Sequence, residues 1–143
     1  MAPLLLSKNL NGPTQSGITP IELAIIEGHT EMVKIMAPLS TNLNTSNRGR
    51  TLIEIAIKYG RIEIIKILAP LSNNLDAPDK NGLTPIMCAT LEGHTEIVQI
   101  LAPLVNNPNA PHQKGITPID IATSNGNSEI VKILQYYKQT YTL

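Results

Sequence analysis

Three acidic residues, Glu22, Glu54 and Asp120, occupy matching places in a recurring phrase of this chain. Paired carboxylates carry out glycoside hydrolysis and general acid–base work, one holding a proton while the other accepts one. The three histidines, His29, His94 and His112, are the candidates for a metal or a proton shuttle. His29 and His94 each follow a glycine, and neither has a cysteine or carboxylate cluster at metal-ligand spacing beside it. His112 falls in a polar stretch and reads as a solvated turn residue. Cys88 is the single cysteine, with no His or Asp at a spacing that would activate it, and reads as a small buried apolar residue. No phosphate-cradling glycine loop, dinucleotide fingerprint or nucleophile elbow appears. The chemistry-bearing residues therefore read as structural. The expectation is a protein that is not an enzyme, with no metal and no cofactor.

The composition narrows the partners. Eleven basic and 11 acidic residues give a formal net charge of zero. A nucleic-acid binder needs a basic field to displace counterions, so no nucleic acid is expected. With four Tyr and no Phe or Trp, the chain offers no stacking platform for bases. The apolar runs are too short to span a bilayer, so no membrane is expected. Met1 to Leu6 lacks a charged start and a long apolar core and does not read as a signal peptide. A lone cysteine cannot form an intrachain disulfide, and the chain reads as cytoplasmic.

The elements that position these residues recur. Gly17, Gly49, Gly82 and Gly115 stand 32, 33 and 33 residues apart, and each opens a similar phrase. Gly17-Ile18-Thr19-Pro20-Ile21-Glu22 leads to Gly28-His29-Thr30-Glu31-Met32-Val33, and Gly82-Leu83-Thr84-Pro85-Ile86 leads to Gly93-His94-Thr95-Glu96-Ile97-Val98. A period of about 33 residues signals a solenoid of stacked supersecondary units. Thr-Pro in the first, third and fourth units suits a capped first helical turn, and the second unit reads Thr51-Leu52, without the proline. The loop glycine ends that helix, and a second apolar stripe follows. The stripes are Ile21, Ala24, Ile25 with Met32, Val33, Met36; Ile53, Ala56, Ile57 with Ile64, Ile65, Leu68; Ile86, Ala89, Thr90 with Ile97, Val98, Leu101; and Ile119, Ala122, Thr123 with Ile130, Val131, Leu134.

These phrases resemble the ankyrin repeat, whose signature is G-x-T-P-L-H-x-A-A-x-x-G-H-x-E-[IV]-V. The resemblance runs from about Ser16 to Tyr136. It implies an all-α ankyrin-repeat solenoid of four helix-turn-helix repeats with β-turn fingers. The repeats are expected at about 16–46, 47–78, 79–111 and 112–143, the last with a polar C-terminal cap at Gln135 to Thr140, behind an incomplete N-terminal cap segment at 1–15. It also explains His29 and His94 as structural residues bonding nearby backbone groups. The signature's first His is replaced by Glu22, Glu54, Met87 and Asp120. The carboxylates can accept backbone N–H bonds in its place, and Met87 cannot. Each of the first three second helices ends in Ala-Pro-Leu. A stop or kink is expected at Pro38, Pro70 and Pro103. Leu39, Leu71 and Leu104 are expected to tuck back as apolar plugs.

Stacked repeats hold other proteins more often than they build active sites. The resemblance implies recognition through the concave face and the β-turn fingers. Carried onto this chain, the protein-binding residues are Ile18, Ile26, Arg48, Arg50, Lys58, Tyr59, Lys80, Leu83, Leu91 and Glu92. The basic residues beside Tyr59, with aliphatics nearby, suggest an acidic partner segment with apolar anchors, centred on the second and third repeats. Two other readings stay open. One is a structural spacer within a longer array; the other is an engineered or reconstructed scaffold without a natural partner. The chain is expected to be a monomer, or to self-associate weakly end to end.

Overall fold

The computed structural model describes residues 17–40, 51–72 and 75–142. The chain divides into two compact units, residues 1–73 and 74–143. In the first unit, α1 (Pro20–Ile26), α2 (Thr30–Met36), α3 (Leu52–Lys58) and α4 (Ile62–Leu71) form two helix pairs, with a 3-10 turn at Ala37–Leu39. In the second, α5 (Pro85–Leu91), α6 (Thr95–Leu101), α7 (Pro118–Ser124) and α8 (Ser128–Thr142) form two more, with a 3-10 turn at Ala102–Leu104. No strand forms among the described residues.

First helices of seven residues are too short to persist alone in water. They are fixed by caps and by burial. Thr19, Thr51, Thr84 and Thr117 each accept a bond on the hydroxyl from the backbone N–H three residues on. In the first unit α1 packs on α2 and α3, and α4 packs on α2 and α3. In the second, α5 packs on α6 and α7, and α8 packs on α6 and α7. Small Ala24, Ala56, Ala89 and Ala122 are buried and let first helices approach. Ile64, Ile65 and Leu68 fill the first unit, and Ile97, Leu101, Ile130 and Leu134 the second. Each such burial is worth about 1.5–3 kcal/mol.

The predicted stripes fall inside with four exceptions. Met32 and Val131 are half-buried, and the α7 stripe is weaker than its counterparts, with Thr123 exposed and Ile119 half-buried.

The proline endings depart from expectation in two ways. Pro38 and Pro103 end the α-helix in a 3-10 turn, whereas α4 continues through Pro70 to Leu71. The three leucines are not plugs: Leu39, Leu71 and Leu104 are 62%, 41% and 48% exposed. Ala37, Ala69 and Ala102, two residues earlier, take the buried position instead. After the leucine the chain turns extended, at Ser40, Ser72 and Val105, and Val105 is itself buried. The Ser40 and Ser72 hydroxyls donate to the carbonyl oxygens of Met36 (3.0 Å) and Leu68 (2.8 Å), satisfying acceptors at the helix ends.

Candidate binding surface

The carboxylates at the first-helix starts are engaged locally. Glu22, only 2% exposed, accepts from the Thr19 hydroxyl at 2.9 Å and the Thr19 N–H at 3.3 Å. Glu54 accepts from the Thr51 hydroxyl at 3.1 Å and N–H at 3.2 Å. Asp120 accepts from the Thr117 N–H at 3.0 Å. These are reciprocal capping boxes, in which the threonine oxygen also accepts from the acid's own N–H. The acceptor role predicted for these residues holds, and it closes each cap onto its own helix. Met87 is fully buried in the same place, so Thr84 caps α5 without a return bond. The Thr117 N–H, then its hydroxyl, then Lys138 hold the Asp120 carboxyl below the usual carboxylate range, against a desolvation that pushes the other way.

Two fingers precede the first helices of the second unit. In Asp79–Leu83 the Asp79 carboxylate accepts from the N–H of Asn81 (2.8 Å) and of Leu83 (2.9 Å). The Asp79 N–H donates to the Leu83 carbonyl at 2.8 Å and closes the loop. In His112–Ile116 the histidine takes the aspartate's place. Its Nδ1 accepts from the Lys114 N–H at 3.1 Å, and its N–H donates to the Ile116 carbonyl at 2.6 Å. Its Nε2 then donates to the carbonyl of Asn81 on the preceding finger, at 2.9 Å. Both ring nitrogens are thus assigned: Nε2 carries hydrogen and Nδ1 accepts. The solvated-turn reading of His112 is corrected: the residue is half-buried and ties two fingers together.

The inter-helix loops are joined in a similar way. Gly28 has φ +76, and the Arg61 guanidinium lies 3.1 Å from where a Cβ would be. Arg61 donates through Nη2 to the Ile26 carbonyl at the end of α1. Asn127 approaches Gly93 in the same relation. His29, expected to bond backbone, instead meets the Glu27 carboxylate at 3.2 Å. His94 keeps Nε2 buried without a hydrogen-bond partner among the described residues. No group of three His, Cys, Asp or Glu among the described residues is arranged to hold a metal.

A family model described as Ankyrin repeats (3 copies) matches residues 1–79 and 69–142. The chain belongs to the ankyrin-repeat family. Its eight described helices are the helix-turn-helix pairs of an all-α ankyrin fold. No curated protein matches the chain. Ankyrin repeats are generally protein–protein interaction modules and typically non-catalytic. No helix among the described residues is long and apolar enough to cross a membrane.

On the ankyrin frame the candidate residues fall into two sets. In the first unit Ile18 and Ile26 are half-buried, while Lys58 and Tyr59 are exposed at the end of α3. The Lys58 ammonium sits 5.9 Å from the centre of the Tyr59 ring. In the second unit Lys80, Leu91 and Glu92 are exposed and Leu83 is half-buried. Arg48 and Arg50 lie outside the described residues. Sequence reasoning passed over Leu23, which is exposed on α1. Its place is filled by Ile55, Cys88 and Ile121 in the other repeats, which are buried or half-buried, so the column gives no signal of its exposure. Ile116, on the finger before α7, is also 45% exposed. A further groove of about 300 Å³ lies between α6 and α8, lined by Gln99, Lys132, Ile133, Tyr136 and Tyr137. The two tyrosines meet edge to face with ring centres 5.1 Å apart. The sequence had marked that segment only as a polar end cap.

Proposed function

We propose that this ankyrin protein is a non-catalytic module that binds a protein partner through its first-helix ends and its fingers. The observation that carries the reading is the pair of exposed residues closing successive first helices, Lys58-Tyr59 on α3 and Leu91-Glu92 on α5. An exposed aromatic or aliphatic beside a charge, on a short capped helix, is suited to anchoring a partner. Ile18 and Ile26 in the first unit and Lys80 and Leu83 in the second are further contact positions, and the sequence adds Arg48 and Arg50. Together they suit an acidic segment with apolar anchors, centred on the second and third of four repeats at about 16–46, 47–78, 79–111 and 112–143. A cytoplasmic site of action fits the single cysteine.

The test is capture from a native lysate with three forms of the chain. One is unaltered; one carries Arg48→Glu, Tyr59→Ala and Leu83→Ala; one carries Ile35→Ala and Leu104→Ala on the second-helix side. A protein held by the first and third and lost by the second supports the reading. Equal capture by all three refutes it.

A further inference from the structure

The described lysines fall into two groups. Lys34, Lys66 and Lys132 each reach the glutamate three residues earlier, at 3.4, 3.1 and 3.9 Å. Lys58 lies over Tyr59, and Lys138 acts on Asp120. Lys80 and Lys114 have no ion-pair partner among the described residues. Both are exposed, and they stand on consecutive fingers of the second unit.

The acids of those fingers are already engaged. Asp79 accepts the Asn81 and Leu83 N–H groups, and Asp76 accepts the Asn106 N–H at 3.0 Å. The fingers are also held in fixed register by the bond from His112 Nε2 to the Asn81 carbonyl. Leu83 and Ile116 follow the lysines on the same two loops and leave aliphatic surface open beside them. Two unpaired cations on a preorganised support, flanked by aliphatics, complement a ligand with carboxylates and a small apolar side chain.

We infer that the fingers Asp79–Leu83 and His112–Ile116 together seat an extended acidic peptide segment. It presents one carboxylate to Lys80, another to Lys114, and an aliphatic side chain to Leu83 and Ile116. Neighbouring repeats stack about 10 Å apart. An extended chain advances about 3.3 Å per residue, so the two acids stand about three residues apart. The inference rests on the protein-binding reading. It adds an acid-recognising contact at the last two fingers to the residues proposed above.

The experiment titrates the full, isotope-labelled chain with a short synthetic peptide bearing Asp at every third position and Leu between. Matched peptides carry Asn or Lys in place of Asp, and a single-stranded oligonucleotide serves as a different polyanion. The expected result is movement of the Lys80–Leu83 and Lys114–Ile116 amide signals by the acidic peptide alone. Its affinity should fall about tenfold in Lys80→Glu with Lys114→Glu and weaken with salt. Lys34→Glu with Lys66→Glu should leave it unchanged. Shifts elsewhere, no shift, equal binding of the Lys peptide, or equal binding of the oligonucleotide at the fingers each overturn the inference. A captured natural partner that ignores the finger variant but is lost with Tyr59→Ala overturns it too, while leaving the protein-binding reading intact.

Discussion

The His112 Nε2–H donates to the Asn81 carbonyl oxygen at 2.9 Å, across 31 positions of sequence. The same ring accepts from the Lys114 N–H through Nδ1, so one side chain both shapes its own finger and fastens the one before it.

Replacing that ring separates the two tasks. His112→Asp keeps a turn acceptor of the kind seen at Asp79 and loses the bond between fingers. The expected cost is about 1 kcal/mol, the net worth of one hydrogen bond. His112→Ala loses both bonds and should cost about twice as much. Urea unfolding midpoints at neutral pH measure the difference, and equal costs for the two variants would contradict these separate roles.

Gly82 and Gly115 have nearly the same backbone, with φ of +83 and +85. A Cβ at Gly82 would lie 2.7 Å from His112 Nε2, whereas nothing lies within 4 Å of one at Gly115. Gly115→Ala should therefore cost only the left-handed strain, about 1–2 kcal/mol. Gly82→Ala should cost more and disturb the His112 ring signals. Gly82→Ala in a His112→Ala background should cost no more than Gly115→Ala. Thermal unfolding of the four variants decides it.

Arg61 holds the Ile26 carbonyl and covers Gly28. Arg61→Ala should cost about 1.5–3 kcal/mol, as expected for a bond from a charged donor. Arg61→Lys should recover only part, because an ammonium lacks the planar fork that lies against the glycine. Chemical denaturation gives the ranking, and full recovery by lysine would show that charge alone suffices.

Asp120 makes the chain acid-sensitive in one direction. Its carboxyl is held below the ordinary range, first by the Thr117 N–H. Its contribution is therefore fully present above the unfolded value of about 3.9 and is lost as pH falls through the lower folded value. Asp120→Asn should lower the unfolding midpoint at neutral pH, and the gap from the parent should close progressively below about pH 4. A gap that stays constant down to strong acid would count against the assignment.

The sequence made the helix pairs legible because each rests on local signals that repeat. Thr-Pro, the loop glycine and the aliphatic stripe each have a meaning independent of the rest of the fold. The capping role of Glu22, Glu54 and Asp120 was readable for the same reason, since donor and acceptor stand three residues apart. The exposure of Leu39, Leu71 and Leu104 was not, because it depends on which of two apolar residues, alanine or leucine, fits under the helix end. His112 was missed because its partner Asn81 lies a whole repeat away. Of the proposed binding surface, exposed Tyr59 and Leu91 lie where the family pattern puts contact positions. The contrast between paired and unpaired lysines needed three dimensions.

The links from Arg61 to Gly28, from Asn127 to Gly93 and from His112 to Gly82 share one geometry, in which a loop residue rests on a glycine of the repeat before it. The glycine and its cover are therefore a matched couple split across a repeat boundary. A recombination that transplants one repeat whole separates those couples at both junctions. The natural cassette for insertion or deletion in this array is accordingly an interface, running from one glycine loop through the residue that covers it, and not the 33-residue period read from the sequence.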